Sequence, residues 1–235
     1  MAFRAGGLLA DAELGADVSA LCPDYRALLV LAEGLTPGPS DDTSEAMLRQ
    51  AERRAVAALG DNPPEAHPHV AAWREAFRAF GAKPQRTRPS VEALLRRCRD
   101  GLPRVDRLTD AYNAVSVTHI LPVGGEDADR YQGPPRLTRA SGDEVFETTS
   151  NAEDVVEHPV PGEVVWRDDA GVTCRRWNWR QCTRTRLTTS TTRAIFVLDA
   201  LAPLSDAALR AARDDLCAAL DALGPGVRTE TRLLR

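Results

Sequence analysis

The sequence predicts an α+β protein in which helices pack against β-sheets. Apolar residues recur at helical spacing through most of the chain before Ile120, whereas short strand-like runs between glycine, proline and aspartate turns dominate afterwards. Hydrophobic residues make up 43% of the 235 positions, enough for a substantial core. Since no repeat, long linker or low-complexity tail is visible, we predict a core domain at residues 66–235 and an N-terminal strand and helix at residues 1–65 that pack on it.

A buried strand is predicted near the N-terminus, because residues 25–32 form a nearly continuous apolar run between proline and glycine turns. Asp42 and Glu45 have the spacing of a capping box, which predicts a helix over residues 43–59.

Four further helices follow from apolar spacing and end signals. Trp73, Phe77 and Phe80 share one face of a predicted helix that begins at Pro68 and ends before Gly81. The other predicted helices are a short one capped by Ser90, one at residues 104–117 and one capped by Ser205 that ends at Leu223.

The second half of the chain reads as strands and turns. Residues 122–125 and the acidic residues just after them are interpreted as a turn. Strands are predicted at residues 135–140, 162–167, 172–179, 194–198 and 228–234. The second and third of these are expected to pair as a hairpin, and the last alternates like an edge strand.

Charge is unevenly distributed along the chain. The formal net charge is −4 and Lys83 is the single lysine, so bulk charge argues against indiscriminate nucleic-acid binding. Residues 1–70 are acidic overall, whereas residues 83–107 and 175–186 are distinctly basic. A local anion-binding face therefore agrees with the sequence.

Several classes of site are disfavoured. The five cysteines include no Cys-x-x-Cys pair, so we expect reduced thiols in a cytoplasmic protein. No apolar run reaches the roughly 18 residues of a membrane span. His67 and His69 lack a cysteine or carboxylate partner in the sequence, and P-loop, Rossmann and Gly-x-Ser-x-Gly fingerprints are missing. We predict no metal, no cofactor and no membrane association.

The most distinctive segment begins at Arg175 and has the order Arg-Arg-Trp-Asn-Trp-Arg-Gln. On a β-strand, Trp177 and Trp179 would share one face, and the asparagine between them and the flanking arginines would share the other. Arginine and exposed indole rings suit phosphates and unstacked bases. The alternative is a buried tryptophan pair on a sheet whose outer face is solvated.

Six short motifs together resemble a known family. They are Gly-Ala-Lys-Pro at 81–84, Arg-Pro-Ser-Val-Glu-Ala-Leu at 88–94, Asp-Ala-Tyr-Asn-Ala-Val-Ser at 110–116, Leu-Pro-Val-Gly-Gly-Glu-Asp at 121–127, Gly-Glu-Val-Val at 162–165 and Cys-Arg-Arg-Trp-Asn-Trp-Arg-Gln at 174–181. In this order they resemble the stand-alone B3/B4 domain proteins, which are similar to the editing module of the phenylalanyl-tRNA synthetase beta subunit. The resemblance covers roughly residues 70–225.

The resemblance implies a B3/B4-like layered fold, with mixed β-sheets or a sandwich flanked by helices and a pocket between the two halves. In the synthetase this module hydrolyses a wrongly attached amino acid from tRNA. Gly124 stands at the position of a pocket histidine of the family, and Asp199 matches its recognition acid. Because the carboxylate of Asp199 is one methylene shorter, the preferred amino acid should differ. Trp177 and Trp179 replace a glycine-rich stretch and should reshape the pocket mouth.

Hydrolysis of an aminoacyl ester needs little beyond an ordered water and donors for the developing oxyanion. Asn113 and Asn178 are the predicted catalytic residues, although Asn113 could instead satisfy a buried backbone group. The predicted substrate-binding residues are Gly124, Trp177, Trp179 and Asp199. The predicted tRNA-binding residues are Arg175, Arg176, Arg180, Arg184 and Arg186.

Two functions of different class remain open from the sequence. The first is a free-standing deacylase that binds the aminoacylated acceptor end of tRNA and hydrolyses mischarged tRNA in trans. The second is a non-catalytic module that uses the same pocket to bind tRNA, an amino acid or a protein partner. The loss of the pocket histidine at Gly124 favours the second, and turnover distinguishes them.

Overall fold

The computed structural model describes residues 5–235, and for residues 5 and 6 it describes the backbone alone. Its helices are α1 (Ala5–Ala10), α2 (Ala16–Leu21), α3 (Asp42–Leu59), α4 (Pro68–Ala79), α5 (Ser90–Leu95), α6 (Arg107–His119) and α7 (Asp206–Leu223). Its strands are β1 (Glu13–Leu14), β2 (Arg26–Glu33), β3 (Val123–Asp127), β4 (Arg136–Arg139), β5 (Phe146–Ser150), β6 (Glu153–Glu157), β7 (Val164–Arg167), β8 (Val172–Arg175), β9 (Arg180–Gln181), β10 (Arg193–Ala200) and β11 (Arg228–Leu234). The α+β class predicted from the sequence is confirmed.

Two main sheets organise the chain. The four-stranded sheet is antiparallel and has the order β11-β2-β10-β3. The five-stranded sheet has the order β1-β4-β7-β8-β9 and is mixed, because β1 runs parallel to β4 while the other pairs are antiparallel. Strands β5 and β6 form a separate hairpin.

The four-stranded sheet separates two apolar layers. Phe196 and Leu198 on β10 point into a cluster with α6 and α7. Ile195 and Val197 alternate with them, as strand geometry requires, and point to the opposite face. That face packs toward the five-stranded sheet, and this arrangement places a site between the two sheets.

The N-terminal segment is integrated with this layering. β2 lies between β10 and β11 in the four-stranded sheet, and α3 packs against α6. The continuous apolar run therefore forms the buried strand that the sequence predicted, and the structure shows that this strand is central in its sheet. The division at residue 65 stays a prediction.

Helix α3 begins one residue earlier than predicted. The side chain of Asp41 accepts hydrogen bonds from Thr43 N at 3.1 Å and Ser44 N at 3.0 Å, and Ser44 Oγ accepts one from Asp41 N at 3.1 Å. The capping box thus uses Asp41 and Ser44, while Glu45 forms ion pairs with two arginines. The prediction that Asp42 pairs with Glu45 was wrong, because the pair one residue earlier, Asp41 and Ser44, has the same spacing and forms the capping box.

Two other helix starts differ from the prediction. Pro89 precedes α5, so Ser90 is the first helical residue and not the cap. Helix α6 begins after Asp106, whose carboxylate accepts a hydrogen bond from Thr109 N at 2.8 Å. The prediction for Ser205 is confirmed, since its side chain caps α7.

The glycine pair predicted as a turn lies instead in strand β3. Gly124 is paired with Val197 and Gly125 with Phe196 on β10. A Cβ atom at Gly125 would lie 2.8 Å from the Phe196 ring, so the glycine lets this ring cross the neighbouring strand. The turn interpretation was wrong because local sequence does not reveal this non-local contact.

The tryptophan segment is a tight turn and not a strand. Strand β8 ends at Arg175, and the chain reverses before β9 through positive φ angles at Arg176 (47°) and Trp177 (68°). The indole of Trp177 is fully buried against Tyr25 and Trp73, with ring centroids 4.9 and 5.3 Å away. Burial of this ring offsets the unfavourable backbone conformation. The predicted alternation of two faces was therefore wrong.

Candidate functional site

A cavity of about 260 Å³ lies between the two main sheets. Strands β3 and β10 form one wall, and β8, β9 and the turn at residues 176–179 form the other. Of the residues singled out in the sequence, the cavity is lined by Asn113, Gly124, Trp177, Asn178, Trp179, Arg180 and Asp199. The chain therefore brings together both predicted catalytic residues and all four predicted substrate-binding residues, whose roles stay predictions.

Asp199 supplies a buried carboxyl group to the cavity. The residue is 2% exposed, and its carboxylate accepts hydrogen bonds from the Tyr25 phenol at 2.5 Å and from Asn178 Nδ2 at 3.4 Å. Within residues 5–235 no cation forms an ion pair with it. Burial raises the pKa of Asp199 to about 7, against the lowering effect of the two hydrogen bonds. Near neutral pH this group is therefore suited to pair with an ammonium group or a hydrogen-bond donor.

The indole of Trp177 separates the cavity from an aromatic core. Besides Tyr25 and Trp73, it contacts Phe80 at a centroid distance of 6.3 Å. Trp179 is only partly buried, and its ring lies between two guanidinium groups, those of Arg176 at 4.4 Å and Arg180 at 4.8 Å. Of the two tryptophans, Trp177 belongs to the structural core and Trp179 to the wall nearer solvent.

The two predicted catalytic asparagines differ in their surroundings. Asn178 Oδ1 accepts a hydrogen bond from Ser90 N at 3.3 Å, so the amide links the start of α5 to Asp199. Asn113 is 7% exposed, and its amide has no hydrogen-bond partner among the described residues. The alternative role of satisfying a backbone group is therefore not seen at Asn113. The amide is not fully enclosed by the protein and lines the cavity, so it is available to a ligand.

A second buried acid lines the cavity at Glu126, which the sequence interpretation treated as a turn residue. Glu126 is 3% exposed, and its Oε2 accepts hydrogen bonds from the Tyr131 phenol at 2.7 Å and Thr185 Oγ1 at 2.9 Å. Burial is the main cause that raises its pKa. Gly124 and Glu126 are two residues apart on β3, so both face the same side of the sheet as Val197. Reading β3 as a strand would have revealed this residue.

Two of the predicted tRNA-binding arginines are occupied by carboxylates. Arg175 is 6% exposed and donates to Glu163 through Nε and Nη2, each at 2.8 Å, and to Glu157 through Nη1 at 2.7 Å. Arg184 holds the buried Asp168 through two contacts of 2.8 Å. These geometries are structural ion pairs, and a role of Arg175 and Arg184 in binding tRNA stays a prediction.

The other three arginines are more accessible. Arg180 lines the cavity and bonds to Glu157 at 2.6 Å, and Arg176 stacks on Trp179. Arg186 is exposed and forms no ion pair with the described residues. These three remain candidates for contacts with phosphate.

No histidine of the described residues borders the cavity, and the one cysteine that lines it there is the buried Cys174. His69 is buried, with Nδ1 2.7 Å from Ile120 O and Nε2 accepting from Leu201 N at 3.1 Å, and desolvation lowers its pKa to about 4. Burial raises the pKa of the Cys174 thiol well above its usual range. Among residues 5–235, no group of three or more metal-binding side chains is assembled. No helix in that range combines the length and apolar character of a membrane span.

The fold and the site together define a two-sheet α+β domain with a ligand-sized cavity between its sheets. The B3/4 domain family model matches residues 72–215, which confirms the resemblance inferred from the motifs. The chain belongs to the B3/4 domain family.

No curated protein matches the chain. Among solved structures, the chain is similar to an N-terminal fragment of the phenylalanyl-tRNA synthetase beta-subunit from Pyrococcus horikoshii, with a TM-score of 0.48 and 12% sequence identity. The match covers 93% of this chain and 49% of the fragment, so the chain spans about half the length of the structure that it matches.

Proposed function

We propose that the chain binds tRNA and hydrolyses the ester bond of mischarged aminoacyl-tRNA in trans. The observation that carries the proposal is the distribution of charge along the cavity, with acids inside and arginines toward solvent. Asp199 and Glu126 are buried in it, whereas Arg97 is exposed and Arg180 is partly exposed along the same lining. An aminoacylated acceptor end has the complementary order of charges, with phosphates on the solvent side and an ammonium group on the aminoacyl side.

The size of the cavity agrees with this ligand. Its volume of about 260 Å³ falls just below the usual lower limit of roughly 300 Å³ for small-molecule sites. Such a space suits a single amino acid better than a whole nucleotide. The nucleotides of the acceptor end would then lie outside, near the more exposed arginines.

The chemistry requires no covalent intermediate. A water molecule attacks the ester carbonyl carbon, and the bond from this carbon to the ribose oxygen breaks to give a free amino acid and a ribose hydroxyl. In this proposal Asn113 and Asn178, which both line the cavity, donate hydrogen bonds to the oxyanion that forms on the way. Asp199 binds the amino group or a polar side chain of the amino acid and thereby orients the ester.

A non-catalytic binding module is the second candidate function. It is favoured by the lining, because no histidine of the described residues borders the cavity. The family resemblance also implies that Gly124 stands at the position of a pocket histidine. The same pocket would then retain an aminoacyl group without cleaving it.

The test is incubation with a panel of tRNAs that carry labelled, deliberately mismatched amino acids. Under the proposal, the label is lost from at least one charged tRNA faster than in a reaction without protein. Replacing both Asn113 and Asn178 by alanine should slow this loss by about 100-fold or more, because both oxyanion donors are removed. The exposed Asn62→Ala variant is the matched control and should react like the parent.

Two further outcomes of this panel are informative. Stable complexes with charged tRNA and no release of label would identify the binding module and exclude the deacylase. Asp199→Ala should change which amino acid is processed, since this carboxyl is predicted to recognise the bound amino acid. An identical amino-acid profile for parent and variant would contradict that role.

A further inference from the structure

A second, basic pocket of about 360 Å³ lies on the other side of the tryptophan turn. It is bordered by Lys83, Arg86 and Thr87 from the loop after α4 and by Arg176 from the turn. This loop is the basic segment that the cavity between the sheets does not use.

The charge of this pocket is positive in effect. Its one acidic lining residue is Glu163, whose two carboxylate oxygens bind Arg175 at 2.8 Å each, and whose Oε2 also lies 3.5 Å from Nε of Arg176. Lys83 and Arg86 are both exposed, and neither forms an ion pair with any residue in the described range 5–235. Two cationic groups are therefore left without a counterion from the protein.

The local geometry holds the cations on one side of the loop. Arg86 N donates to Lys83 O at 2.8 Å and Thr87 N donates to the same oxygen at 2.9 Å, which closes a turn between the two basic side chains. Arg176 is fixed by stacking on Trp179 and by a hydrogen bond to Thr87 Oγ1. Such preorganisation lowers the entropy cost of binding an anion.

The two pockets meet at consecutive residues. Arg176 borders the basic pocket, whereas Trp177 borders the cavity between the sheets. Consecutive Cα atoms are about 3.8 Å apart, so the two pockets border adjacent parts of the same turn. A linear polymer with regular negative charges fits this arrangement.

We propose that Lys83, Arg86 and Arg176 form a binding site for an RNA backbone phosphate, next to the cavity that receives the aminoacyl group. This inference rests on the proposed function for its geometry, and it adds the place where the RNA strand is held. Guanidinium and ammonium groups are the side chains that proteins use for this contact.

The experiment measures binding of a fluorescent, unacylated RNA hairpin with a single-stranded 3′ end, over a range of salt concentrations. The variant Lys83→Ala/Arg86→Ala should bind about 10-fold more weakly at low salt, and the slope of log affinity against log salt should fall by about 1. The control is Arg53→Ala/Arg54→Ala on α3, which makes the same change in net charge on an exposed helix surface. This control should bind within about 2-fold of the parent.

Three results would overturn the inference. The first is equal affinity for the Lys83→Ala/Arg86→Ala variant and the parent, and the second is an equal loss for both double variants, since that reflects bulk charge. The third is binding of inorganic phosphate that depends on Lys83 and Arg86 when RNA binding does not.

Because the RNA carries no amino acid, its binding tests the phosphate site separately from deacylation. If the chain binds this RNA through Lys83 and Arg86 but never releases labelled amino acids from charged tRNA, deacylation is disproved and the phosphate site stands. If the Lys83→Ala/Arg86→Ala variant deacylated charged tRNA with the KM of the parent, the phosphate site would be disproved and the proposed deacylation would stand.

Discussion

The phenol of Tyr25 donates a 2.5 Å hydrogen bond to the carboxylate of Asp199 across the junction of β2 and β10. Both groups are buried, and neither has a cation within hydrogen-bond reach among the described residues. Burial and the neighbouring carboxylate together raise the pKa of Tyr25 well above its usual range, so the phenol remains a donor at all physiological pH values. The pair thus fixes the position of the acid that lines the cavity.

Tyr25→Phe should destabilise the protein, because it removes this donor and leaves the buried acid with only the long bond from Asn178. We expect the free energy of unfolding to fall by about 2 kcal/mol. Urea denaturation at pH 7 measures the change. A midpoint equal to that of the parent would mean that the short bond contributes no net stability.

Asp199→Asn should change how stability depends on pH. The pKa of Asp199 is raised from 3.8 to about 7 in the folded chain, so the folded state holds this proton more tightly than the unfolded state does. The parent is therefore expected to lose stability as pH rises from about 4 to about 7, by at most about 4 kcal/mol from this group. The variant lacks that loss, so its unfolding free energy relative to the parent should increase across this window and level off above it. Parallel profiles of the two proteins over pH 4–8 would contradict the raised pKa.

Gly125→Ala should be more damaging than Gly124→Ala. A Cβ atom at Gly125 meets the Phe196 ring at 2.8 Å, whereas at Gly124 it meets only the end of the Gln181 side chain at 3.1 Å. The first substitution should cost about 1–3 kcal/mol through overpacking, and the second less than about 1 kcal/mol. Thermal unfolding of the two variants provides a matched comparison, and equal shifts in Tm would show that the Phe196 contact is not limiting.

Arg175→Ala should affect folding more than RNA binding. The substitution leaves Glu163, itself 1% exposed, without its two-point partner, which should cost about 3–5 kcal/mol. Arg186→Ala, at an exposed position in the same basic run, should change stability by no more than about 0.5 kcal/mol. Chemical denaturation compares the two. If Arg175→Ala kept the parent's stability and lost RNA binding, the predicted role of Arg175 in binding tRNA would be supported.

Much of the fold could be predicted from local patterns. The spacing of Trp73 and Phe77, the stop at Gly81, the Ser205 cap and the apolar run before Glu33 each reflect interactions within one element or its immediate neighbours. The motifs also placed Asp199 and Asn178 at one cavity. Those residues come from separate parts of the chain, and it was the family resemblance, not their spacing, that connected them.

The features that local patterns do not reveal share a physical origin in non-local contacts. Gly125 lies in a strand because a ring from β10 needs its missing side chain, and Trp177 occupies a turn because Tyr25 and Trp73 surround its indole. Arg175 is sequestered by Glu163, which belongs to the other side of a hairpin. A linear pattern of basic and aromatic residues does not show which side chains meet a partner inside the protein.

The outer strand β11 limits how the sheet can associate with other chains. Every residue from Arg228 to Arg232 carries a charged or hydroxyl side chain, and the first four of these are exposed. A second strand docking along this border would have to strip water from Arg228 and Glu230 with no compensating apolar contact there. This part of the border is thereby protected against edge-to-edge aggregation, while farther along the strand Arg232 donates to the carbonyls of Leu9 and Ala10 on α1.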